Sequence, residues 1–166
     1  MSTFCADAAE RAPDDEPRRT LAEQKALGIH LLHPEICSIP VNPVRVAKGL
    51  GLAVYKDNSA ENIDGWYDED QNAIYLNTNQ PLMRRRFTVA HELGHYIMGH
   101  STRERNKDEQ YNDIEANGFA AALLMPAPAV KDCVFRKRML TRNMAEYFGV
   151  STKAMIIRLR QLGYVH

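Results

Sequence analysis

At 166 residues, with 45% hydrophobic and 25% charged residues, the chain has the size and composition of one globular domain. Lysine plus arginine and aspartate plus glutamate both number 21, so the chain as a whole is drawn to neither nucleic acid nor a membrane surface. Collagen-like, disulfide-dense and wholly disordered classes are excluded, and no run of about 18 uncharged apolar residues offers a transmembrane helix. The opening residues show no apolar stretch behind a basic start, so no secretory leader is expected and the expected location is the cytoplasm. The charge balance hides an asymmetry. Residues 131–160 hold Lys131, Arg136, Lys137, Arg138, Arg142, Lys153, Arg158 and Arg160 against Asp132 and Glu146, a local +6. Cys5, Cys37 and Cys133 are odd in number, widely spaced and without a C-x-x-C pair, which fits free thiols.

In chain order, residues 1–17 are polar and Pro-containing and read as a disordered tail. A helical pattern starts at Thr20, with Leu21, Leu27 and Leu31/Leu32 as its expected inward side, and stops at His33-Pro34. Residues 34–43 form a Pro-punctuated connector. Asn42-Pro43 reads as an N-cap followed by proline at the first helical position. Three runs rich in β-branched and aromatic residues follow at 52–57, 63–70 and 73–78, and read as an antiparallel meander. Residues 84–100 carry helical apolar spacing. Residues 101–112 are polar and suit a lid or specificity loop, and Asp113–Met125 forms a second, Ala-rich helix. Two or three short helices close the chain. Within them Ala145, Gly149, Val150-Ser151 and the helix from Thr152 fit a helix-turn-helix pattern. The expected organisation is a tail at 1–17, a helix and connector at 18–42, a core at 43–128, and a helical segment of the same domain at 129–166.

His91-Glu92-Leu93-Gly94-His95 is an H-E-x-x-H sequence within the predicted helix. Residues four apart lie one turn apart on one face, so both imidazoles reach a single Zn²⁺, and the intervening glutamate is placed to take a proton from water beside it. A third ligand must come from elsewhere. His100 is five residues beyond His95, about 140° further round a helix, and would not face the same ion. Glu115 and Asp113 both lie on the second helix. Glu115 sits among Ala116, Gly118 and Ala120–Ala122, small residues that allow close approach, while Asp113 suits a ligand, an N-cap or an acceptor for a ligand imidazole. Tyr96, Tyr111 or a histidine would supply the oxyanion donor. A set of two histidines and a carboxylate also accommodates Mn²⁺ or Fe²⁺.

Two separated blocks extend the motif. Arg86-Phe87-Thr88-Val89-Ala90 leads into His91–His95 and Tyr96, and Glu115-Ala116-Asn117-Gly118-Phe119 runs on to Met125-Pro126. Together with Gly65-Trp66-Tyr67, Ala73–Asn77, Ala145–Ser151 and Arg158-Leu159, these resemble the ImmA/IrrE family of bacterial zinc metallopeptidases over about residues 43–163. The resemblance implies an α+β fold: a zincin-like core, a small antiparallel three-stranded sheet packed on the H-E-x-x-H helix and a second ligand helix, and a helix-turn-helix-like C-terminal segment. It implies zinc held by His91, His95 and Glu115, the last favoured over Asp113 on this ground, with Glu92 as general base. It further implies a cytoplasmic endopeptidase whose protein substrate is a helix-turn-helix repressor of mobile-element, phage-like or stress-response genes. Two other readings stand beside it. One is a non-proteolytic zinc-bearing antirepressor or antitoxin-like protein. The other is a DNA-binding regulator acting through the basic, helix-turn-helix-like C-terminal segment, with binding expected to be lost when Arg158 and Arg160 are neutralised. No reading involves a membrane.

Overall fold

A computed structural model describes residues 18–59, 62–101 and 109–165. The disordered tail expected at 1–17, with Cys5, lies outside them. Among the described residues seven helices and three strands follow in the order α1 (Arg19–Leu32), α2 (Pro43–Gly49), β1 (Ala53–Lys56), β2 (Gly65–Asp68), β3 (Ala73–Leu76), α3 (Leu82–Met98), α4 (Glu109–Leu124), α5 (Ala127–Phe135), α6 (Thr141–Phe148) and α7 (Thr152–Gln161). The class is α+β. No single helix among the described residues is long and apolar enough to cross a membrane.

α1 packs on α4, and of its expected inward leucines only Leu21 is half-buried against the core. Leu27, Leu31 and Leu32 are exposed, and the inward residues are Ala22, Ala26 and Ile29. The reason is proximity: α4 presents small residues here, and a Cβ at Gly118 would lie 3.8 Å from the Ala22 Cβ, so only small side chains fit between the axes. α2 starts as its sequence dictates. The Asn42 Oδ1 accepts from the N–H groups of Val44 and Arg45 at 3.1 and 3.2 Å, and Pro43 occupies the first turn.

The sheet is mixed rather than an antiparallel meander, in the order β1-β3-β2. β2 and β3 form a hairpin whose turn is closed by the Asp68 carboxylate accepting from the N–H groups of Asp70 and Gln71. β1 pairs with β3 in parallel, Ala53 opposite Ala73 and Lys56 opposite Leu76. The connection from β1 to β2 runs from residue 57 to residue 64, too long for a tight hairpin, and β3 takes the place beside β1. Asn58, just after β1, then bonds Thr78, just after β3, as two strands ending side by side require. β2 is left on the edge. Gly65 lets it lie close to β3 and α3, since a Cβ there would meet the Tyr75 carbonyl oxygen at 2.6 Å and Thr88 Cγ2 at 2.8 Å.

The core lies between α3, α4 and the sheet and continues under the C-terminal helices, with Leu93, Phe119, Leu123, Leu124, Phe148 and Met155 fully buried. Cys37 and Cys133 are buried free thiols within it. Two arginines fasten the C-terminal helices to the rest. Arg86 of α3 donates to the carbonyls of Val41 at 2.6 Å and Gly149 at 2.8 Å. Arg158 of α7 is 3% exposed, donates to the Met125 carbonyl at 2.9 Å and forms a two-pronged pair with Glu23 of α1. It therefore faces inward and is no part of a DNA-reading surface. Arg160 is exposed.

Candidate metal centre

α3 is amphipathic, burying Val89, Ala90, Leu93 and Met98 and turning His91, Glu92 and His95 to one half-buried side. Gly94 makes the approach of α4 possible: a Cβ there would lie 3.0 Å from both the Cα and the carbonyl oxygen of Ala116. This close contact carries the α4 side chains to the two histidines. His91 Nε2 and His95 Nε2 are 3.0 Å apart, and the Asp113 Oδ1 lies 3.7 Å from the first and 3.5 Å from the second. Among the described residues this is the group of three metal-type donors that converges on one point.

The third member is thus Asp113, and Glu115 is not in the group. α4 begins at Glu109, four residues before Asp113, so Asp113 is neither an N-cap nor at the helix start. Asp113 and Asn117 are one turn apart and share the face that meets α3. Glu115, two residues on, lies about 200° round the helix from Asp113. Its carboxylate is fully buried, bonded to His100 Nε2 at 2.9 Å and to Arg18. Asn117 accepts at Oδ1 from His91 Nδ1 at 2.9 Å. That fixes the His91 proton on Nδ1 and leaves Nε2 a lone pair. The sequence carries a signal for this, since Asp113-x-x-x-Asn117 has the same four-residue spacing as the two histidines.

One other placement differs from expectation. α3 ends at Met98, and Gly99, at φ 72°, reverses the chain in the left-handed conformation. His100 is thereby taken off the helix, so the angular argument that set it aside does not apply. It is 6% exposed with Nδ1 3.0 Å from His95 Nδ1. Tyr96 packs edge-to-face on Tyr67 of β2, with ring centroids 5.7 Å apart, and serves the core. Tyr111 is exposed in the first turns of α4. Most of the polar 101–112 loop, residues 102–108, lies outside the described residues.

Burial sets the electrostatics. Desolvation lowers the His91 pKa, against opposing effects of Asn117 and Asp113. It lowers His95 to about 4, helped by His91. Both imidazoles are therefore held neutral, the form that ligates metal. Desolvation raises Glu92 to about 8, opposed by the Tyr67 main-chain N–H and helped by Asp113. The donor set suits a divalent cation. Two lone-pair nitrogens at 3.0 Å beside a carboxylate repel unless a positive charge lies between them. Tetrahedral ligands about 2.0–2.1 Å from zinc would be separated by roughly 3.3 Å, close to the three separations found.

Comparison with known proteins places this geometry in a family. The IrrE N-terminal-like domain, a peptidase family, matches residues 47–160. The chain is 35% identical over 92 residues to the radiation response metalloprotease IrrE of Deinococcus radiodurans and 36% identical over 92 residues to that of Deinococcus deserti. Each match takes in 50% of this chain but only 28% and 33% of those relatives, so the chain spans about a third of their length. A Mycobacterium tuberculosis transcriptional regulator shares the fold, with a TM-score of 0.64 over 84% of this chain and 46% of its own, at 17% identity. The match over most of the chain, with the two metalloprotease relatives, shows that the chain belongs to the IrrE N-terminal-like peptidase family and is of the ImmA/IrrE type.

Proposed function

We propose that the protein is a zinc-dependent endopeptidase in which His91, His95 and Asp113 hold the ion and Glu92 is the general base. The observation that carries this is the convergence of two imidazole Nε2 atoms and one carboxylate oxygen, with Glu92 on the same side of α3. A bound zinc supplies polarisation of a peptide carbonyl and a lowered pKa for water beside it. The protein does the rest. Asn117 holds His91 with its Nε2 lone pair free. The half-buried Glu92 carboxylate is steadied by the Tyr67 N–H; with a cation held beside it its raised pKa would fall, and it would take the proton of the attacking water and pass it to the leaving amine nitrogen. β2 is an edge strand beside α3, which suits pairing with an extended stretch of substrate. The side chain of Asp113 is 56% exposed, so the centre opens to solvent on that side.

The substrate in this reading is a helix-turn-helix repressor, and its cleavage relieves repression. The resemblance and the metalloprotease relatives support a protein substrate. The DNA-binding reading is weakened because Arg158 is buried against Glu23. The test is incubation of zinc-loaded protein, as wild type and as Glu92→Gln, with the helix-turn-helix repressor encoded beside its gene, read by intact mass. Two fragments with wild type and none with an equally zinc-loaded Glu92→Gln are expected. An intact repressor with zinc-loaded wild type would instead favour a non-proteolytic binding protein.

A further inference from the structure

Among the described residues Glu115 is the carboxylate with no exposure at all, and so must be heavily compensated. The Arg18 main-chain N–H donates to its Oε1 at 2.7 Å, and the Arg18 guanidinium donates to Oε2 at 3.0 Å. The same guanidinium nitrogen reaches the Met98 carbonyl at 3.4 Å, in the last turn of α3. Arg18 Nε also donates to Oε2 at 3.2 Å, and His100 Nε2 lies 2.9 Å from the same oxygen. His100 in turn reaches the metal centre through His95.

We infer that His100 and Glu115 are positioning residues for the metal centre, ends of a relay from Arg18 through Glu115 and His100 that fixes the ring and tautomer of His95. This rests on the reading of His91, His95 and Asp113 as ligands. The proton count supports it. An ionised carboxylate only accepts, so His100 Nε2 carries a hydrogen. With His100 neutral, its Nδ1 keeps a lone pair that at 3.0 Å can accept from His95 Nδ1–H. His95 Nε2 is left with its lone pair pointing at His91 Nε2 and Asp113. Reversing the central bond would put the His95 proton on Nε2 and end its use as a ligand. One arrangement of hydrogens thus satisfies both the relay and the centre.

The two ligand histidines are held differently. His91 leans on a neutral amide, whereas His95 leans on a buried carboxylate through an intervening imidazole. The relay also joins three separate parts of the chain: the entry to α1, the middle of α4 and the turn after α3. Arg18 is its far end, so the N-terminal helix is coupled to the orientation of a ligand.

The test uses the full chain. Zn²⁺ affinity is measured by competition with a chromophoric chelator, the Co²⁺-loaded protein gives a visible spectrum, and histidine ¹⁵N shifts are read in the zinc form. His100→Leu is expected to weaken zinc binding about 10- to 100-fold and to shift the Co²⁺ bands. His100→Asn, whose Oδ1 falls near the Nδ1 position, is expected to restore most of that affinity, and Glu115→Gln to lie between. In zinc-loaded wild type, His95 should be protonated at Nδ1 and bound through Nε2, a readout that needs no variant to fold. Zinc binding unchanged in His100→Leu, or His95 bound through Nδ1, would overturn the relay while leaving the centre standing. Wild type that takes up no zinc at His91 and His95 would overturn the centre itself, and the relay with it.

Discussion

Replacing Gly94 by alanine sets two effects of similar size against each other. In a helix interior the change gains about 1 kcal/mol of helical propensity. Against it stand the Cα and carbonyl oxygen of Ala116 at 3.0 Å and the Phe119 ring at 3.2 Å from the new Cβ. Ordinary contact begins near 3.4 Å, so α4 must retreat by a few tenths of an ångström. The obstacles are mostly main-chain atoms of a packed helix, which cannot swing aside as a side-chain tip would. Overpacking of this kind costs about 1–3 kcal/mol. The net expectation is a loss of about 1 kcal/mol, lowering the melting temperature by roughly 2–4 °C for a chain of this size. The same retreat moves Asp113 and Asn117 away from the histidines, so zinc binding should weaken as well. Thermal melts of the metal-free protein and a zinc titration measure the two effects. A Gly94→Ala protein that melts higher and binds zinc as tightly as wild type would refute the claim that this helix contact sets the centre.

Other consequences follow from the same contacts. Asp113→Asn should weaken zinc binding more than Glu115→Gln does, read by the same competition titration; the reverse order would favour Glu115 as the ligand over Asp113. Glu92, raised to about 8 when metal-free, favours the folded state below its unfolded value near 4.5, and this advantage is lost as pH rises through 8. Denaturant titrations of metal-free wild type against Glu92→Gln should therefore show wild type losing ground between about pH 5 and pH 9, by at most about 5 kcal/mol, with the slope reduced once zinc is bound. Arg158→Met removes a nearly buried guanidinium from Glu23 and the Met125 carbonyl. Because Glu23 is itself partly exposed, the cost should be about 2–3 kcal/mol, below that of a fully buried pair, and visible as a lower melting temperature. An unchanged melt would mean that α7 is not fastened to α1 by this pair.

What could be read from the sequence was what depends on neighbours along the chain. The Asn42-Pro43 cap and the one-turn spacing of His91 and His95 are local, and so were legible. Which carboxylate converges with them was not, because the face of α4 that meets α3 is decided by packing of Gly94 on Ala116. The small residues around Glu115 pointed to a close approach without saying which carboxylate it delivers. His100 was set aside by extending a helix that Gly99 ends. Of the α1 leucines read as inward, Leu21 packs on the core but Leu27, Leu31 and Leu32 are exposed, since the narrow gap to α4 admits Ala22 and Ala26. In the sheet, strand propensity marked the three segments but not their order, which follows from connection length and from the Asn58–Thr78 bonds.

The most direct test of the account is a zinc-loaded crystal with diffraction measured at the zinc absorption edge. The expected result is one ion bound by His91 Nε2, His95 Nε2 and an Asp113 oxygen, with Glu92 beside it but not ligating and Glu115 still on His100 and Arg18. An ion held by Glu115 in place of Asp113, or no ion at the paired histidines, would contradict the proposed centre.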